Sequence, residues 1–133
     1  MYYNGEKVDK DLDKAIELFT KASEMGDAFS LNWLGCLYDR GEGVDKNLEK
    51  AIDFFIQAAN KGEVYAQKNL GTKYELGECI AQDYTKAKEW YEESIKNNAS
   101  FGESYYRLAY LYYYGNGVDQ DYNKALELFE KAY

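Results

Sequence analysis

LGCLYDRGEGVDKN, residues 34–47, decides the fold, because the chain returns to it as LGTKYELGECIAQD at 70–83 and as LAYLYYYGNGVDQD at 108–121. The first two copies lie 36 residues apart and the last two 38. Self-similarity at a period of this size marks a stack of like units, each unable to hide its apolar side alone. Other anchors keep the same register: Lys14-Ala15, Lys50-Ala51, Lys86-Ala87 and Lys124-Ala125; Gly5, Gly41, Gly77 and Gly115; Val8, Val44, Ile80 and Val118; Leu12, Leu48, Tyr84 and Tyr122. The two extra residues of the last spacing fall in KNNASFGES, 96–104, between helical segments where an insertion costs little.

Each unit resolves into two helices. The first runs from about Ala28 to Arg40 in the best-formed copy, with Ser30, Leu34 and Tyr38 four residues apart and Leu31 beside them, the stripe of a helical period. Gly41 stops it by taking the left-handed conformation that closes a last turn. The second helix starts near Asn47, whose equivalents Asp11, Asp83 and Asp121 are all side-chain acceptors suited to the unpaired N–H groups of a helix start. Ala51, Ile52, Phe55, Ala58 and Ala59 then give it an apolar face, small where a neighbouring helix must come close, and Gly62 ends it as Gly26 does one unit earlier. The intervening G-x-G-V-x-x-[DN] pattern is a stop, a turn, an apolar plug and a cap. A phosphate cradle is disfavoured, since no strand precedes it and no GK[ST] or GxGxxG spacing is present. Tyr2 aligns with Tyr38, so the array is expected to open on the tail of a first-type helix, with its first full helix near Asp11 to Met25. The reading is all-α: an α/α superhelix, a right-handed solenoid of antiparallel helix pairs with about seven helices. It is one array over 1–133, with a partial repeat at 1–26, repeats at 27–62 and 63–100, and a last, incomplete repeat at 101–133.

Composition narrows the chemistry. The chain has no proline, 16 Lys and Arg against 24 Asp and Glu, and a formal charge of −8, which repels a phosphate backbone. A nucleic-acid partner is not expected. No apolar run reaches the ~20 residues that span a bilayer, and MYYNGEKVDK lacks the apolar core of a signal peptide. The expected compartment is the cytoplasm, or the periplasm or exterior if a signal sequence has been removed. Cys36 and Cys79 occupy different places in the repeat and form no CxxC pair, so both read as reduced thiols. Without histidine, the commonest general base and the commonest zinc ligand are missing. No catalytic residue, metal or cofactor is expected.

These features resemble the Sel-one-like repeat (SLR) family, relatives of the tetratricopeptide repeats with a slightly longer unit. The residues that carry the likeness are LGCLYDRGEGV from Leu34, NLGTKYELG from Asn69, DYTKAKEWYEES from Asp83 and YYYGNGVDQDYNKALELFEKA from Tyr112. It spans essentially the whole chain, and a tetratricopeptide unit has ~34 residues without the glycine-rich loop. The resemblance implies an α/α solenoid with a scaffold or adaptor role in protein complexes. Some members carry a disulfide in every repeat, and this chain departs from them.

In a solenoid the first helix of each pair lines the concave face. With Ser30, Leu31, Leu34 and Tyr38 turned into the stack, 100° per residue leaves Asn32, Cys36, Asp39 and Arg40 outside. The repeat offsets carry this to Lys68, Thr72, Glu75 and Leu76, then to Tyr106, Tyr110, Tyr113 and Tyr114. Four tyrosines on an exposed surface bring rigid area and hydroxyls at low entropic cost, and replacing Tyr106 and Tyr110 is expected to spare the fold. The expected function is a non-catalytic scaffold or adaptor binding a peptide or protein segment on this face. The alternatives are a cell-wall or glycan-binding module stacking sugars on Trp33, Trp90 or Tyr110, and a carboxylate-based hydrolase. Trp33 and Trp90 read more simply as core, because Trp90 shares its position with Leu18, Phe54 and Leu128. The ends of the array suggest either a fragment of a longer one or pairing with a second copy.

Overall fold

The computed structural model describes residues 5–98 and 101–132, with side chains from Leu12 onward, and holds seven helices and no strand among them. They are α1 (Gly5–Glu24), α2 (Ala28–Arg40), α3 (Leu48–Asn60), α4 (Val64–Leu76), α5 (Tyr84–Asn97), α6 (Gly102–Tyr114) and α7 (Tyr122–Ala132). Each packs on the next, giving a right-handed α/α solenoid in which α2, α4 and α6 are the first-type helices.

The punctuation read from the sequence sets these boundaries. Gly41, Gly77 and Gly115 sit at φ 72°, 71° and 70° as the left-handed ends of α2, α4 and α6. Asn47 accepts from the Lys50 N–H at 3.1 Å, Asp83 from that of Lys86 at 3.0 Å and Asp121 from that of Lys124 at 2.9 Å. The backbone N–H groups of the same three residues donate back to the carbonyls of Tyr38, Tyr74 and Tyr112, so each loop is buttoned to the helix that it leaves.

The first copy departs from this. α1 runs unbroken from Gly5, so Gly5 and Asp11 lie inside a helix where a stop and a cap were expected. The second glycine position of the loop explains it: Gly43, Cys79 and Gly117 hold φ 75°, 60° and 74°, whereas the first copy offers Lys7, a helix former that resists positive φ. Tyr2, aligned with Tyr38, lies outside the described residues, as do Ala99 and Ser100 in the two-residue insertion between α5 and α6.

Within the α2–α3 and α4–α5 pairs the helices approach closely at Gly35 and Gly71. A Cβ on Gly35 would lie 2.6 Å from the Phe55 ring, and one on Gly71 would lie 2.8 Å from that of Tyr91. Both rings are buried beneath their glycine. Ala109 holds the place in the third pair, and its ring partner Phe129 instead meets Tyr106 and Tyr110, at 5.7 and 5.2 Å between centroids. Leu31, Leu34, Leu70, Leu108, Leu111 and Leu128 complete the buried stripe.

Gly35→Ala and Gly71→Ala are each expected to cost about 1–3 kcal/mol by overpacking, read as a fall in the urea midpoint of the far-ultraviolet circular dichroism; unchanged midpoints would mean that the ring does not lie beneath its glycine. By the same measurement Asp83→Ala should cost about 1 kcal/mol as a lost cap, and Asp11→Ala should stay within about 0.5 kcal/mol of the parent. Equal losses at the two positions would contradict the unbroken α1.

Candidate functional site

Because each first-type helix stands beside the next across the stack, side chains that leave the core on one helix meet those leaving it on its neighbour. Between α2 and α4 they enclose a cleft of about 350 Å³, with Phe29, Trp33 and Tyr65 at its sides and Arg40, Lys68 and Asn69 among its other walls. The ring of Trp33 is 40 % exposed and lies flat on Phe19 of α1 at 5.8 Å, with Phe29 edge-on at 6.1 Å. Trp33 is therefore not the core residue that the sequence suggested. Leu18, taken as a core position, is 58 % exposed. Trp90 is half-buried against the α2–α4 cluster.

A smaller cleft of about 110 Å³ continues toward α6 and shares Cys36, Arg40, Lys68 and Asn69 with the first. It adds Asp39, Lys73 and Arg107. Lys73 has only 9 % of its side chain exposed, and its Nζ donates to Asp39 Oδ1 at 2.6 Å and to Glu78 Oε2 at 3.4 Å. The repeat offsets place it level with Leu37 and Leu111, so a lysine stands where both sibling units bury leucine.

The candidates from the sequence gather on this face, but not all as open surface. Asn32 is buried at 7 %: Asn69 of α4 donates to its Oδ1 at 3.1 Å and covers it, an effect of the next unit that a single-helix wheel leaves out. Cys36 and Asp39 are half-buried, and Arg40 is exposed with Glu42 at 3.6 Å. Lys68 reaches Glu103 of α6 at 3.4 Å. Thr72 and Glu75 both meet the Tyr91 hydroxyl, which lies 3.2 Å from Thr72 Oγ1 and donates to Glu75 Oε1 at 2.6 Å. Burial, then this bond to Glu75, pushes the Tyr91 phenol far above its ordinary range. Leu76 is exposed.

Tyr106, Tyr110, Tyr113 and Tyr114, four of the six tyrosines of α6, form a linked aromatic sheet. Tyr106 meets Tyr110 at 4.9 Å, Tyr110 stacks on Tyr114 at 6.0 Å, and Tyr113 touches both Tyr114 and Tyr122. Tyr106 and Tyr110 also pack against Phe129, at the join between α6 and α7. Beside them Tyr113, Tyr122, Leu126 and Phe129 line an apolar cleft of about 320 Å³.

Phe29, Tyr65, Asn69, Lys73 and Arg107 belong to the face but were missed by the wheel. The repeat alignment itself carried the signal for Lys73, through its leucine siblings. A wider cleft, of about 670 Å³, lies away from this face against α3 and α5, with Tyr74, Lys86, Glu89, Trp90 and Asn97 in its walls. Among described carboxylates Glu63 is pushed up by burial, and its oxygen accepts from the Ala66 N–H at 2.8 Å as the cap of α4. No group of three or more Cys, Asp or Glu among the described residues could hold a metal ion, and none of their helices is long and apolar enough to cross a membrane.

Burial raises the pKa of the Cys36 thiol, opposed in part by Arg40 and Lys68, whereas Cys79 is exposed in its loop; both are free. Iodoacetamide at neutral pH is therefore expected to alkylate Cys79 first, with Cys36 following only as the pH rises toward its elevated pKa. Peptide mass spectrometry checks the order, and prior or equal labelling of Cys36 would contradict its placement.

A family model described as Sel1 repeat matches the chain at residues 1–27, 28–63, 64–98 and 102–133. A Sel1 repeat protein from Oxalobacter formigenes superposes with a TM-score of 0.84 at 26% identity, over 90% of this chain and 48% of that one. The protein c5321, a protective antigen of uropathogenic Escherichia coli with an SLR fold, gives 0.81 at 30% identity, over 88% and 25%. Cysteine-rich protein B of Helicobacter pylori gives 0.68 at 28% identity, over 97% and 91%. The chain thus spans about half the length of the first and a quarter of the second. No curated protein matches the sequence.

Proposed function

This chain belongs to the Sel1 repeat family, whose repeats generally serve as protein-interaction modules, and from that premise we propose that it is a non-catalytic scaffold holding an extended stretch of another polypeptide along α2, α4 and α6, the concave side of the stack. The observation that carries the reading is the α2–α4 cleft. Exposed aromatic rings from two successive units meet there with cationic and amide side chains, the mixture of rigid apolar anchors and orienting polar groups from which binding sites are made. Helices already fixed by caps and glycine stops present these groups without rearrangement, so little ordering cost falls on the scaffold. The surface varies from unit to unit while the core repeats, as expected of positions free to be spent on recognition. A second reading, a glycan module, draws on the wider cleft, where Trp90 stands among Glu89, Glu93 and Asn97.

A displayed random peptide library and a panel of cell-wall sugar oligomers separate the two. We expect enriched peptides whose affinity falls roughly tenfold or more on Trp33→Ala or Tyr65→Ala, with helical circular dichroism unchanged. Peptides indifferent to both changes, or binding by sugar oligomers alone, would remove the concave face from the account.

A further inference from the structure

We propose that the smaller, cationic end of this groove receives an acidic side chain, so that the partner is an extended peptide in which a glutamate or aspartate stands beside an aromatic or large apolar residue. The inference rests on the reading of the face as a peptide groove and adds the chemistry of the occupant.

Charge is the first support. Arg40, Lys68, Lys73 and Arg107 line the smaller cleft against the single acid Asp39, in a chain whose formal charge is −8. The other carboxylates that meet these cations, Glu42, Glu78 and Glu103, line neither cleft, so the floor is cationic and the rim acidic. Elsewhere the net negative surface repels an acidic segment, and such a partner is therefore confined to this place.

Hydrogen bonding is the second. The Nε of Arg107 is buried and has no hydrogen-bond acceptor among the described residues. Glu103 Oε1 stands 3.7 Å away, too far for a bond, and Lys68 shares the same oxygen at 3.4 Å. A buried donor left in this way is costly unless something arrives to accept from it, and a carboxylate does so with a charge-assisted bond. The pairs at Arg40–Glu42 and Lys68–Glu103 are long and partly solvated, so exchanging them for an incoming carboxylate loses little.

Lys73 is the third. A buried ion pair where the neighbouring units bury leucine is weak evidence of a stabilising role, and Lys73 lines the cleft beside its partner Asp39, with Glu78 farther off at 3.4 Å. Because the two clefts share Cys36, Arg40, Lys68 and Asn69, an apolar side chain among Phe29, Trp33 and Tyr65 leaves the adjoining residue at the cations. A continuous groove takes a side-chain carboxylate of a chain passing through.

The probe is a short peptide alternating glutamate and phenylalanine, acetylated and amidated so that it has no terminal charge, compared by calorimetry with its glutamine analogue. We expect the glutamate peptide to bind about tenfold more tightly at low salt, with that advantage shrinking as salt is added. Arg107→Gln should abolish the advantage and leave the glutamine peptide unaffected. Arg40→Gln, at an exposed position, should reduce it severalfold and keeps the test valid if Arg107→Gln fails to fold. Equal binding of both peptides, sensitive to Trp33→Ala, would overturn the acidic occupant and leave the peptide groove standing. Binding of neither peptide, with none enriched from the library, would overturn both.

Discussion

A ring slipped under a glycine holds each of the first two helix pairs of this chain together. Phe55 beneath Gly35 and Tyr91 beneath Gly71 occupy the space that a single methyl group would claim, and the paired helices come as close as they do for that reason. Each buried aromatic side chain contributes about 1.5–3 kcal/mol by leaving water, but its geometric effect reaches further. A ring that passes under the first-type helix carries its far edge toward the face beyond. The Tyr91 hydroxyl reaches Thr72 and Glu75 there, and Phe55 contributes to the wall of the smaller cleft. The core of one pair thus furnishes part of the floor of the groove.

In the third pair the notch is filled. With Ala109 in place of glycine, Phe129 turns to Tyr106 and Tyr110, and the outer face of α6 becomes part of the packing of α7. In the first two pairs a single buried ring reaches the groove from below, whereas in the last the outer tyrosines themselves hold the second helix. The functional consequence is a graded surface: aromatic and open at α2, cationic at α4, and tyrosine-clad and self-associated at α6.

Much of the fold was legible in the sequence because it is written in local terms. A glycine that must turn left-handed and an Asx side chain that must reach an N–H three residues on are constraints of a few neighbouring residues, and Gly41, Gly77, Gly115, Asn47, Asp83 and Asp121 all obey them. Where reading by register went astray, the deciding contact came from elsewhere or the local residue differed. Lys7 replaced a glycine and α1 ran straight through. Asn32 was claimed by Asn69, 37 residues away, and Trp33 was held flat against Phe19 of another helix. On the candidate face the same limit shows in how deeply each side chain sits, as Asn32 does beneath Asn69. A wheel knows which side of a helix faces away from its partner, but not which neighbour will lean across.

The second glycine of the inter-helix loop bears on the form of the whole array. At Gly43 an added Cβ would strike Leu12 and Ile16, and at Gly117 it would strike Tyr84, so these two loops lie directly on the unit behind them. The middle loop carries Cys79 at the same position, with a side chain and a left-handed backbone together. Successive joints are therefore not interchangeable: two are closed to the limit that bare backbone allows, and one must leave room for a Cβ and a sulfur. Pitch in such an array need not be uniform, and a long ligand laid across all three first-type helices would find the local bend set by single atoms on the far side of the stack.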